Sequence, residues 1–153
     1  MFSFLNKKPA NFLTDAEKEQ VVNAIRQAET RTSGEIRVYI ERHCRYVNPL
    51  DRAAEIFFSL KMDQTKDRNA VLLYIAVKDH QMAIFGDEGI YKKTGREYWE
   101  NLVNRILQYF NKENFVEGIC EYVHEIGEGL RKFFPYDKET DHNELPDEIV
   151  FGH

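Results

Sequence analysis

The chain has 153 residues with a hydrophobic fraction of 42% and an aromatic fraction of 13%, enough for one domain with its own core and too rich in apolar residues for a disordered chain. Its formal charge of −5 is carried wholly by residues 135–153, where six acids face Lys138, so the body is neutral. Nucleic acid and anionic lipid surfaces are thereby disfavoured as partners. No apolar run approaches the roughly 20 residues of a bilayer span, which predicts no membrane insertion. The start, MFSFLNKKPANF, lacks the pattern of a secretion signal. Two cysteines without CxxC spacing, Cys44 and Cys120, fit a cytoplasmic location with reduced thiols.

In chain order, Thr14 and Glu17 form a capping box, and Val21, Val22, Ala24, Ile25 and Ala28 recur at helical spacing behind it. Ser33-Gly34 closes that helix. Ile36, Val38 and Ile40 alternate with Arg37, Tyr39 and Glu41, which predicts a half-exposed strand. Asn48-Pro49 opens a second helix, with Leu50, Ala53, Ala54, Phe57, Phe58 and Leu60 on its inner face. After a polar loop at 63–69, Ala70–Val77 (AVLLYIAV) is the continuous apolar run of a central strand covered on both faces. Lys78-Asp79-His80 turns the chain into a shorter antiparallel strand carrying Met82 and Ile84. Gly86-Asp87-Glu88-Gly89 reads as a glycine loop. Thr94 with Glu97 predicts another capping box and a helix running to Phe110; Asn114 with Glu117 starts the last helix, which Pro135 stops.

This order predicts an α/β fold, a three-layer α/β/α sandwich around a central mixed sheet of about four strands. The fourth strand is to come from Ile90-Tyr91 or from Leu145–Phe151. Residues 1–12 form a lead-in, 13–135 the domain, and 136–153 an acidic tail.

Familiar catalytic spacings are not met. A cysteine phosphatase loop at Cys44 needs arginine at position 50, which is Leu50. A zinc helix at His124-Glu125 needs histidine at position 128, which is Glu128. An EF-hand starting at Asp63 needs glycine and glutamate where Arg68 and Tyr74 stand. Gly127-x-Gly129 follows no strand, so it is no dinucleotide loop. What survives is a set of loop carboxylates. Asp63 and Asp67 lie in the loop entering the central strand, Asp87 and Glu88 in the loop leaving the next, and Glu35 at the mouth of the first. The hairpin brings loops 62–69 and 86–93 to one end of the sheet, where such oxygens suit a hard divalent cation, Ca²⁺ or Mg²⁺.

The segments LTDAEKEQV, TSGEIRVYIE, KDRNAVLLYIAVKDHQMAIFGDEGI and FNKENFVEGI resemble the TPM domain family over Leu13 to Pro135, and most specifically a bacterial branch of it. Ala70 stands where that branch usually has glycine. The resemblance implies an α/β/α sandwich and, for some members, a divalent-metal site in loops at one sheet end. That carries the metal expectation onto Asp67, Asp87 and Glu88, with Glu35 and Asp63 beside them. Many relatives have a secretion signal and a transmembrane segment; this chain reads as a stand-alone version. Three functions follow as expectations. The first is a binding or regulatory module with metal-ordered loops and a protein partner of unknown identity. The second is a metal-assisted phosphomonoesterase, like a plant relative described as a calcium-binding acid phosphatase. The third is a scaffold docking through its acidic tail.

Overall fold

The computed structural model describes residues 12–108, 113–137 and 144–152; the lead-in up to residue 11, Phe110 and residues 138–143 lie outside them. The Thr14–Glu17 capping box forms as read, with Glu17 N donating to Thr14 Oγ1 and Thr14 N to Glu17 Oε1. It opens α1 (Asp15–Glu29). Then come β1 (Glu35–Glu41), α2 (Pro49–Ser59), β2 (Ala70–Ala76), β3 (Gln81–Gly86), α3 (Glu88–Thr94), α4 (Glu97–Leu107), α5 (Phe115–Phe133) and β4 (Val150–Phe151).

The sheet order is β3-β2-β1-β4. β1 runs parallel to β2, with Glu35 opposite Ala70, and β3 is antiparallel to β2. The fourth strand comes from the tail, Val150–Phe151 beside Tyr39 and Ile40, whereas Ile90 and Tyr91 are helical. Helices cover both faces, giving the expected three layers. On one face Ile36, Val38, Ile40, Val71, Leu73, Met82 and Ile84 pack against α1, α4 and α5. On the other, Leu72, Tyr74, Ala83 and Phe85 meet Ala53, Ile56 and Phe57 of α2 and Leu145 of the tail. α1 and α5 approach closely at Gly127, where an added Cβ would lie 2.8 Å from Ala28 Cβ.

Four local expectations are corrected. β1 is buried on both faces, not half-exposed: Glu35, Arg37 and Glu41 are all buried. The burial of Glu41 is offset by partners, Arg52 Nε and Nη2 donating to its carboxylate at 2.9 and 3.0 Å together with the Tyr74 hydroxyl. In α2 the buried face carries Ile56 rather than Phe58, whose ring is half in solvent. Gly86–Gly89 is not a free loop, because Asp87 caps α3. The Thr94–Glu97 box does not form; Arg96 precedes α4, and Thr94 Oγ1 instead accepts Trp99 Nε1 and donates to Ile90 O.

Among the described residues no helix is long and apolar enough to cross a membrane, and both cysteines are unpaired with each other.

Candidate functional site

Ala70 is the centre of the loop end of the sheet. Glu35 of β1 lies beside it in register, and Asp87 N donates to its carbonyl from the other side at 3.0 Å. Glu35 and Asp87 are thus two strand spacings apart, about 10 Å. The five expected carboxylates therefore divide into two groups around this point.

The first group surrounds Arg68. The Asp87 carboxylate is 2% exposed. Its Oδ2 accepts Arg68 Nε at 2.7 Å, and its Oδ1 accepts Arg68 Nη2 and the Glu88 amide, each at 2.8 Å. Glu88 Oε1 takes Arg68 Nη1 at 3.3 Å. The Asp87 hydrogen bonds, with the charges of Glu88 and Asp63 behind them, raise the Arg68 guanidinium above its ordinary value. Backbone reinforces the clasp: Gly89 N donates to Arg68 O at 3.0 Å. Arg68 holds a left-handed φ of 50°, a conformation that costs a non-glycine residue roughly 1 kcal/mol. Gly89 has no alternative, since a Cβ there would sit 2.5 Å from Asp67 O and 2.6 Å from Arg68 O. Asp67 is exposed at the rim.

Beside the clasp opens a cleft of about 750 Å³ lined by Lys66, Asp67, Glu88, Lys92, Phe133 and Tyr136, among others. Lys93 closes one wall, donating to Phe133 O at 3.1 Å and lying 4.4 Å from the centre of the Phe134 ring.

The second group gathers where the tail crosses the β1 edge. Glu35 Oε1 accepts Glu144 N at 2.6 Å, and Glu144 Oε2 accepts Lys66 N at 3.0 Å. Glu29 Oε2 accepts Ile36 N at 2.9 Å. Burial, then a hydrogen bond with Asp147, pushes Glu29 up to about 10. Burial likewise raises Glu35, whose Oε2 has no hydrogen-bond donor among the described residues. Sequence reasoning missed Glu29, seven residues before the Ile36 amide it accepts, and Glu144 and Asp147 of the distant tail, and it gave Arg68 no role.

The donor set at the first group is all carboxylate oxygen, as a hard cation requires. Yet both Asp87 oxygens are taken by Arg68, and among the described residues no three His, Cys, Asp or Glu side chains are grouped to hold a metal. A cation fits here only in exchange for the guanidinium. At the opposite end of β1, His43 Nδ1 meets Asp79 Oδ1 at 2.9 Å and Cys44 N donates to Asp79 Oδ2 at 2.7 Å, which fixes the β2–β3 turn against the chain leaving β1.

The sequence model of the TPM domain family matches residues 7–129. The BA42 protein of the psychrophilic bacterium Bizionia argentinensis, solved by NMR, is 42% identical, with 93% of this chain and 97% of that one covered and a TM-score of 0.83. The N-terminal domain of a P. gingivalis protein matches at 18% identity, 89% and 85% coverage and a TM-score of 0.65. A corresponding domain from Corynebacterium glutamicum gives 13%, 77% and 74%, and 0.59. These two similarities speak for the fold alone. No curated protein matches the chain.

Proposed function

The chain belongs to the TPM domain family, and from that premise we propose that it is a non-catalytic binding module working through the loop end of its sheet, with Ca²⁺ or Mg²⁺ as the ligand that competes with Arg68 for the carboxylates there. One observation carries this reading. Asp87 is buried, while the cation that neutralises it comes from a side chain 35% exposed. A buried carboxylate demands a counter-charge, but the guanidinium that supplies it can turn to water when another cation takes its place. Asp67 and Glu88 at the rim, with Asp63 behind, would hold that cation together with Asp87. Exchange would loosen the tie between the loop before β2 and α3, and so reshape the cleft beside it, a change a partner can read. Glu35 belongs to the tail contact and takes no part.

Thermal unfolding in EDTA and then in millimolar Ca²⁺ or Mg²⁺ tests the reading. At free metal 100 times Kd a single site adds about 2.7 kcal/mol, a rise of several degrees at this size. Arg68→Ala, lacking the competitor, is expected to respond at lower metal concentration, and Asp87→Asn not at all. Wild type and Arg68→Ala both indifferent to metal would end the cation reading. Steady hydrolysis of p-nitrophenyl phosphate that Asp87→Asn abolishes would replace the non-catalytic reading with a metal-assisted phosphomonoesterase.

A further inference from the structure

Among the described residues β3 is an edge strand, and its hydrogen-bonding parity fixes which of its groups face outward. Asp87 N donates to Ala70 O, so in an antiparallel ladder the paired positions are Phe85 with Leu72 and Ala83 with Tyr74, while Met82, Ile84 and Gly86 turn their N–H and C=O away from β2. Gly86 confirms the parity, since its outward N–H meets the Tyr91 hydroxyl at 3.1 Å. The outward groups of Met82 and Ile84 meet no partner among the described residues.

Those two residues form the floor of a groove of about 380 Å³. One wall is Asn48, Pro49 and Leu50 at the start of α2; the other is Trp99, Glu100, Val103 and Asn104 of α4. Met82, Ala83 and Ile84 are only 3–4% exposed, so the strand edge lies below both walls. Unpaired backbone donors and acceptors in such a place carry a cost that pairing relieves.

We propose that the outer edge of β3 is a docking strip for an extended peptide segment of a partner protein, bound as an added strand with a basic residue opposite Glu100. Two outward residues at i and i+2 match the main-chain repeat of a strand, and main-chain pairing is how sheet edges capture peptides. Side chains of the added strand would point alternately toward the α2 and α4 walls, as those of Ala83 and Ile84 do. Recess excludes a second copy of this chain, because its own β3 is sunk between the same two helices and cannot reach the floor. Charge selects the sequence class: Glu100 is the one charged residue among the groove's described lining residues, and Glu97 and Asp51, next along α4 and α2, are exposed acids.

The probe is the capped peptide acetyl-Thr-Val-Lys-Val-Thr-amide, titrated into the full chain labelled with ¹⁵N, with a glutamate-for-lysine peptide and a backbone N-methylated peptide as controls. Binding is expected to shift the Met82 and Ile84 amides and slow their hydrogen exchange about tenfold, with the glutamate and N-methylated peptides weaker. Glu100→Lys, a surface change, should reverse the preference between lysine and glutamate peptides. Folded protein showing no protection at Met82 and Ile84 in millimolar peptide overturns the proposal. So does equal binding of the N-methylated peptide, or a dimer in which β3 amides are protected without peptide.

Discussion

Arg68 and Asp87, 19 residues apart, are joined by two parallel hydrogen bonds, Nε to Oδ2 and Nη2 to Oδ1. The pair converts a hairpin's open end into a closed one, because the loop before β2 and the cap of α3 now move as one piece. Planar two-point geometry is specific to arginine. Arg68→Ala strands a buried carboxylate and is expected to lower Tm by roughly 5–10 °C. Arg68→Lys, with charge but no fork, should recover only part of that. Differential scanning calorimetry reads both, and a lysine variant melting with wild type would show that charge alone suffices.

Gly89 packs its α-carbon against two carbonyls of the opposing loop. Gly89→Ala forces a methyl into rigid backbone and should cost about 1–3 kcal/mol in urea unfolding. The Glu88 and Asp87 amide resonances should move with it. Gly95→Ala is the useful contrast: nothing lies within 4 Å of its added Cβ, but its φ is +76°, so any loss there reports backbone conformation alone.

The tail contact makes stability depend on pH. Glu29, ordinarily near 4.5, is pushed up to about 10 and Glu35 is raised as well, so the folded state holds protons that the unfolded chain releases. Stability is then greatest below about pH 4.5 as far as these groups are concerned, and falls as pH rises through the window up to about 10, by at most about 1.4 kcal/mol per pH unit for one proton. Arg26, 3.6 Å from Asp147, moderates the repulsion. Urea midpoints between pH 5.5 and 8.5 should decline in wild type and decline less in Glu29→Gln. An unchanged slope in that variant would place the titrating group elsewhere.

Leu145 anchors the same segment. It is 8% exposed and belongs to the cluster with Phe57, Tyr74 and Phe85. Leu145→Ala should cost about 2–3 kcal/mol and speed exchange of the Gly152 amide, which donates to Ile40 O. A neutral Leu145→Ala would mean that the tail is not seated on the domain in solution, and would revive it as a docking peptide.

Much of the fold was legible because its signals are local. Thr14-Glu17, Asn48-Pro49 and the AVLLYIA run each specify an element within a few residues, and each formed. The alternation in β1 misled because Glu35, Arg37 and Glu41 look like a solvent face, and nothing adjacent announces that Arg52, Tyr74 and Glu144 will cover and partner it. Thr94-Glu97 misled in the opposite way: a valid local cap lost to Trp99, whose indole N–H takes the Thr94 hydroxyl. At the loop end, the hairpin brings the loop before β2 against Asp87 and Gly89. What the spacing of acids could not reveal was the basic residue among them, since Arg68 finds Asp87 only after β2 and β3 have paired.

The contact between Glu35 and Glu144 spans 109 residues, and this has a consequence for how the protein is made. β1 can pair with β2 soon after both leave the ribosome, but its other edge waits for the tail. That interval runs from the end of β2 at Ala76 to Glu144, and at 5–20 residues per second it is about 3–14 s, during which the outer backbone of β1 is uncovered in a chain whose core has begun to form. Nascent molecules crowded on one message would present that edge to each other. Glu35 and Arg37 then act as charged sentries on an unfinished sheet, until the arriving segment takes the Glu35 carboxylate through Glu144 N.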